Sequence, residues 1–269
     1  VDDLDRLVEA VRENPKYRAI DEGLVRRVGA QELAKGRGWK EAVKAARSKL
    51  HQVGGAYQEG GIRYDAWAEE MQRLPRDLRH PEARDFCRRM MAQHASTKER
   101  LPLLERFYTD TLAGASPLRS LLDVACGLNP LALAWMPAAE DVEYTACDIY
   151  ADMVEFLNHF FAHFGVRGRA FVCDLTASVP DTPAQVALAL KTIPCLEQLD
   201  KTIAPRLLDG LQAETLLVSF PARSLGGRNK GMPEFYEAHL EDLLRGRDWD
   251  VRKFAYASEI AFLIEKRNT

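Results

Sequence analysis

Residues 121–130 read LLDVACGLNP, an apolar run that stops near an acid and passes through one glycine. The run is too short for a helix and suits a strand covered on both faces. Asp123 and Gly127 then frame a tight turn, where a nucleotide-like ligand would pass over the backbone. Gly127 is the only glycine of that turn. A pyrophosphate asks for several glycines and a helix N-terminus, so dinucleotide binding is poorly supported.

Outward from this turn the same texture repeats. Apolar runs at 118–125, 142–149, 168–175, 185–193 and 213–221 alternate with amphipathic stretches at 150–164 and 194–211. Short Leu/Val/Ala runs separated by helices predict a doubly wound, mostly parallel sheet. Two final runs, 250–258 and 259–267, have almost nothing between them and must form a hairpin. The sheet is therefore expected to end with an antiparallel strand.

Upstream of residue 118 the pattern is helical throughout. Leu4, Leu7, Val8 and Val11 share one face, with Asn14-Pro15 closing that helix. Basic amphipathic patterns follow at 21–34 and 38–57, the second stopping at Gly54-Gly55, and further helices at 62–74 and from Pro81. A helical N-terminal domain over 1–106 and an α/β domain over 107–269 are expected. The net charge of -3 hides an asymmetry: residues 12–49 carry 11 basic and 5 acidic side chains. A basic module on an acidic remainder suggests a polyanion partner, although solvated helix faces give the same count. No run has the apolar length of a membrane span, the first residues are acidic and amphipathic, and five scattered cysteines lack zinc, redox or disulfide spacing. A cytoplasmic protein without a metal is expected.

The second strand should end at Asp148, about twenty residues after Gly127, the offset for a carboxylate receiving two ribose hydroxyls. The third should end at Asp174, placed to accept from an exocyclic amine. Either aspartate alone is equally well a helix cap. Together, without phosphate-binding glycines, they describe an adenosine with a cationic 5′ substituent, a description that S-adenosylmethionine fits. Pro194-Cys195 stands after strand four, where cytosine-C5 methyltransferases place their nucleophile; a helix-start proline before a core cysteine is the plainer reading. His159 and His163 lie four apart but lack a third ligand. The stretch SFPARSLGGRNKG (219–231) joins glycines to Arg223, Arg228 and Lys230, as a loop closing on an anion would.

Four blocks, LHQVGGAY (50–57), HASTKERL (94–101), LLDVACGLNPLAL (121–133) and SFPARSLGGRNKGM (219–232), resemble the aminoglycoside-resistance 16S rRNA methyltransferases of the guanine-1405 N7 group. With 26 Arg against 11 Lys the chain looks most like the drug-producer (sisomicin- and gentamicin-resistance) members. The resemblance implies a class I S-adenosylmethionine-dependent methyltransferase fold, Rossmann-like and seven-stranded, behind helices that dock on the 30S subunit. It places His94, Ala95, Ser96 and Arg100 over the cofactor, with Arg100 facing the methionine carboxylate. Ala125 and Gly127 would line its turn, Asp148 take the ribose, and Asp174 with Leu175 the adenine. Lys191 would border the transfer cleft and Arg228 serve catalysis in the clamp, with Arg223 and Lys230 on rRNA phosphates. Arg26, Arg27, Lys44 and Arg47 are expected to dock the ribosome.

Guanine N7 carries a free lone pair and no proton at neutral pH, so direct displacement needs alignment and no general base. An RNA cytosine-C5 methyltransferase using Cys195, and a non-catalytic RNA-binding protein with a vestigial cofactor fold, are the alternatives.

Overall fold

A computed structural model describes residues 2–55, 61–222 and 232–267. The N-terminal part is a stack of short helices: α1 (Asp3–Glu13), α2 (Pro15–Arg18), α3 (Glu22–Leu33), α4 (Trp39–Leu50), α5 (Tyr64–Met71), α6 (Pro81–Met91), α7 (Ala95–Arg100) and α8 (Leu104–Leu112). Their starts are capped as their sequence suggests. Asp2, Asn14 and Asp21 each accept a backbone N–H of the first turn, and Pro15 and Pro81 occupy first-turn positions where no N–H is needed. After α4 the chain makes one wide turn of π-helix over His51–Gly55.

The remainder alternates: β1 (Leu118–Val124), β2 (Ala138–Asp148), α9 (Ala151–His163), β3 (Arg167–Val172), β4 (Ala184–Leu190), α10 (Ile193–Leu196), α11 (Ile203–Gly210), β5 (Ala213–Pro221), α12 (Met232–Leu244), β6 (Trp249–Ala255) and β7 (Glu259–Lys266). The seven strands order as β3-β2-β1-β4-β5-β7-β6. The first five pair in parallel, and β7 runs antiparallel to both β5 and β6. Order reverses between β1 and β4, so a crevice opens there beyond the carboxyl ends.

The C-terminal strand β7 is antiparallel, as expected, but it does not lie at the edge. β7 is inserted next to β5, and β6 forms the edge. Burial explains this: EIAFLI of β7 is buried throughout, whereas WDVRKFA of β6 is largely exposed. An apolar run gains more from neighbours on both sides, and a charged strand protects an open edge.

Alternate residues of the strands feed two cores. Leu121, Leu188, Leu217 and Leu263 face the N-terminal helices and α9, whereas Leu122, Ala187, Leu216 and Phe262 face α11 and α12. The helices before residue 118 thus bury their apolar stripes in one core continuous with a sheet face. The expected division at 106/107 falls inside α8, whose Leu104, Phe107, Tyr108 and Leu112 belong to that core. A second tie lies at the carboxyl end of β2. Ile20 and Tyr150 form an isolated bridge, with Asp21 N–H donating to the Ile149 carbonyl at 2.8 Å and Ala151 N–H to that of Ala19 at 2.8 Å.

Candidate active site

Beyond the carboxyl ends of β1, β2 and β4 lies a cleft. Its floor is the turn after β1. Ala125 (φ 49°) and Gly127 (φ 52°) both adopt left-handed backbone, as does Lys191 (φ 57°) after β4. Two non-glycine residues in that region, both lining one cleft, mark strain held by the surrounding fold. Gly127 admits no side chain, because a Cβ would stand 2.9 Å from the His94 ring. Its N–H donates to Asp148 Oδ2 at 2.9 Å, while Ile149 N–H donates to Oδ1 at 2.7 Å. Burial raises the Asp148 carboxyl's pKa, and those two N–H groups restrain the rise.

Asp174 lies just past β3, at the same rim. Its Oδ1 accepts from the Thr176 N–H at 2.8 Å and hydroxyl at 2.6 Å, and Oδ2 pairs with the Arg27 guanidinium. The N-terminal helices therefore reach the cleft, and Leu24, Val53 and Gly54 form part of its wall. Gly54 is more than a helix stop: a Cβ there would meet Tyr150 Oη at 2.8 Å. That hydroxyl is buried and has no hydrogen-bond partner among the described residues.

Behind the cleft runs a buried polar network. Arg100, 1 % exposed, grips fully buried Glu259 through two parallel bonds, Nε to Oε2 at 3.0 Å and Nη2 to Oε1 at 2.6 Å. Its Nη1 donates to Asn129 Oδ1 at 3.0 Å, and the guanidinium lies 4.7 Å over the Phe107 ring. Ser219 donates to Glu259 Oε1 at 2.5 Å, and Lys191 Nζ stands 3.9 Å from Oε2 while bonding Glu99 at 2.5 Å. Burial would raise the Glu259 pKa, but Arg100 and Lys191 outweigh it and hold the carboxyl below its usual range. Asp123 accepts from Asn129 Nδ2 at 2.8 Å and Tyr144 Oη at 2.7 Å, yet burial pushes it up to about 7. Burial, with Lys191 and Arg100 nearby, lowers His94 to about 4, so its ring is neutral at pH 7.

The decisive comparison is with family models. Residues 13–264 match the model described as "Ribosomal RNA methyltransferase (FmrO)". The chain belongs to this family. Proteins named 16S rRNA (guanine(1405)-N(7))-methyltransferase are similar to it along nearly the whole length. That of Micromonospora rosea is 32% identical, covering 98% of this chain and 97% of its own. That of Frankia casuarinae is 35% identical, covering 98% and 94%. Among solved structures, the 16S rRNA methyltransferase RmtF in complex with S-adenosyl-L-homocysteine superposes with a TM-score of 0.83 at 30% identity, covering 99% of each chain. The 16S rRNA methylase RmtB gives 0.79 at 27% identity, covering 98% of each. The fold is that of the class I S-adenosylmethionine-dependent methyltransferases.

For a chain of the FmrO family, the cleft gathers most of the expected residues. His94, Ser96, Arg100, Ala125, Gly127, Asp148, Asp174, Leu175 and Lys191 line it, and so does Cys195; Ala95 opens α7 beside them. Arg223, Arg228 and Lys230 lie outside the described residues. The four N-terminal cations do not share one environment. Lys44 is exposed, Arg26 pairs with Asp5 at 2.6 Å and Glu22 at 3.6 Å, and Arg47 donates to the Ala10 carbonyl. Arg27 sits at the rim of the cleft itself, on Asp174. Sequence reading missed Tyr150, Gly54, Asn129, Glu99 and Glu259. Tyr150 had a signal, two residues after the strand-ending Asp148; Glu259, at the head of a hairpin strand, had none. Among the described residues no group of three or more His, Cys, Asp or Glu could hold a metal ion, and no helix is long and apolar enough to cross a membrane.

Proposed function

We propose that this protein methylates N7 of guanine 1405 in the 16S rRNA of the assembled 30S subunit, with S-adenosylmethionine as donor, and so confers aminoglycoside resistance in the bacterial cytoplasm. The observation that carries the reading is the pairing of two strand-end carboxylates, Asp148 and Asp174, in one cleft with the tight Gly127 turn and the unpartnered Tyr150 hydroxyl. That donor and acceptor set fits an adenosine and offers no cradle for a diphosphate.

S-adenosylmethionine supplies an electrophilic methyl group. In our reading Asp148 accepts from the ribose hydroxyls, and Asp174 from the adenine amine once Arg27 has shifted from it. Arg100 spends three donors on Glu259 and Asn129, which leaves guanidinium hydrogens for a carboxylate. The Arg100–Glu259 pair fixes that guanidinium in the wall, so no side-chain ordering is needed when ligand arrives. Ala125, Gly127, Leu175, His94 and Ser96 shape the walls and keep water out, and Ala95 sets the start of α7. Lys191, tethered to Glu99, faces the space a guanine would enter. The family resemblance assigns Arg228 to catalysis and Arg223 and Lys230 to rRNA phosphates, contacts that offset the few kcal/mol that flipping a base costs.

The lone pair of guanine N7 is available without deprotonation. The neutral His94 ring and the salt-bridged Lys191 agree with a reaction that uses no base. Cys195 lines the same cleft, which keeps cytosine-C5 methylation as the second reading. Its Sγ donates to the Lys191 carbonyl at 3.3 Å. Primer extension on small-subunit rRNA after incubation with protein and S-adenosylmethionine tests both readings. A stop or cleavage at guanine 1405 that persists in Cys195→Ala is expected. Methylation at a cytosine, lost in that variant, would replace the first reading with the second, and binding of RNA without any modification would leave a vestigial fold.

A further inference from the structure

Helix α12 follows β5 on the carboxyl side of the sheet, and its inner face is fully committed. Tyr236 stacks on Phe220 of β5 with ring centroids 4.9 Å apart, and Leu240, Leu243 and Leu244 join the core beneath. Phe235 only borders this packing, its ring edge-on to Tyr236 with centroids 5.3 Å apart. It is 63 % exposed, and the other large apolar side chains exposed among the described residues are Val172 and Val251, on the edge strands β3 and β6. One helical turn on, the His239 ring lies almost parallel to it, 11° between planes and 6.1 Å between centroids. His239 is itself held by Glu197 at 2.9 Å, and Glu197 directly follows the cleft-lining Cys195 and Leu196. An unburied aromatic ring with a fixed second ring beside it is thus tied through Glu197 to the segment that lines the active-site cleft.

We propose that Phe235, backed by His239, is a stacking platform for an unpaired RNA base next to the target guanine. The proposal rests on the reading of the substrate as RNA. Every base offers a flat π-face, and an aromatic ring binds it without reading sequence. Extruding one guanine leaves its neighbours without a stacking partner, which is what an exposed aromatic can replace. Charge points the same way. In the sequence, the nine residues before α12 carry three cations and no acid, a composition that suits a polyanion. Glu234, adjacent to Phe235, repels a phosphate at the ring itself and leaves a base as the part of RNA that fits there.

The test measures single-turnover methylation of purified 30S subunits at subsaturating enzyme, together with S-adenosylmethionine affinity and thermal stability. Phe235→Ala is expected to lower kcat/KM roughly tenfold or more, the value of one base stack, with cofactor affinity and Tm at wild-type level. Phe235→Trp should retain activity, and Phe235→Leu should be as poor as the alanine variant. Full activity in Phe235→Ala overturns the proposal. So does full rescue by leucine, which would mean a plain apolar contact such as one with a ribosomal protein. Wild-type protein that leaves 30S subunits unmethylated would overturn the proposed function instead, and is told apart by the wild-type lane alone.

Discussion

Two sets of cations in this molecule are both paired with acids, and the pairing means different things. Arg100 and Lys191 are 1 % and 5 % exposed and meet Glu259 and Glu99 at the cleft wall. Arg26, 43 % exposed on α3, meets Asp5 and Glu22 in contact with solvent. A surface pair is worth little and exchanges its partner for a phosphate at small cost. A buried cation has no water to fall back on, so its carboxylate is part of the structure. Arg26 thus exchanges its partners at small cost, whereas Arg100 is pre-set and immobile.

The sharpest way to break this contrast is Glu259→Ala. It strands Arg100 in the interior and is expected to cost about 3–5 kcal/mol of stability in chemical denaturation. A loss below 1 kcal/mol would put the buried pair on a level with the surface ones. Next in size is a pH effect at His94. Its folded pKa of about 4 lies below the ordinary 6.5, so below pH 6.5 the unfolded chain takes a proton that the folded chain refuses. Its contribution is complete above that pH and is lost as pH falls towards 4. The stability advantage of wild type over His94→Gln should shrink by about 3 kcal/mol over that interval; a constant difference would place the ring in contact with water.

At the cleft, Asp148→Ala and Asp174→Ala should each weaken S-adenosylmethionine binding about tenfold or more in calorimetry, since hydrogen bonds to a charged group are worth about 1.5–3 kcal/mol. Asp174 sharpens the contrast, because Arg27 competes for it: Arg27→Ala should leave cofactor affinity unchanged or higher. The smallest effect on the fold belongs to the surface. Charge reversal at Arg26 and Lys44 should weaken 30S binding and flatten its salt dependence by about 0.7–0.9 per lost phosphate contact. The accompanying change in stability is expected to be small, because an exposed pair contributes little. Unaltered binding at every salt concentration would reduce these helices to solvated faces.

Much of the sheet was legible because its signals are local. Each parallel strand is a short apolar run ending where a polar turn begins, and Asp148 and Asp174 stand at those ends whatever the rest of the chain does. The order of β6 and β7 was not legible, because a hairpin can enter a sheet by either strand. The choice is made by which strand has apolar residues on both faces. Arg27 read as one more docking cation from α3, and its approach to Asp174 depends on how α2 and α3 attach to the end of β2.

The sequence by itself determined the alternation of strand and helix, the turn at Gly127, the two strand-end carboxylates and the basic excess of residues 12–49, since each is a matter of residue type and spacing within a few turns. Tertiary structure alone decided that Glu259 belongs to Arg100, that Gly54 and Tyr150 wall the cleft, and which cations are held in the interior. These are contacts across up to 159 residues of chain. No local preference encodes them, because they follow from where the two cores bury their apolar faces.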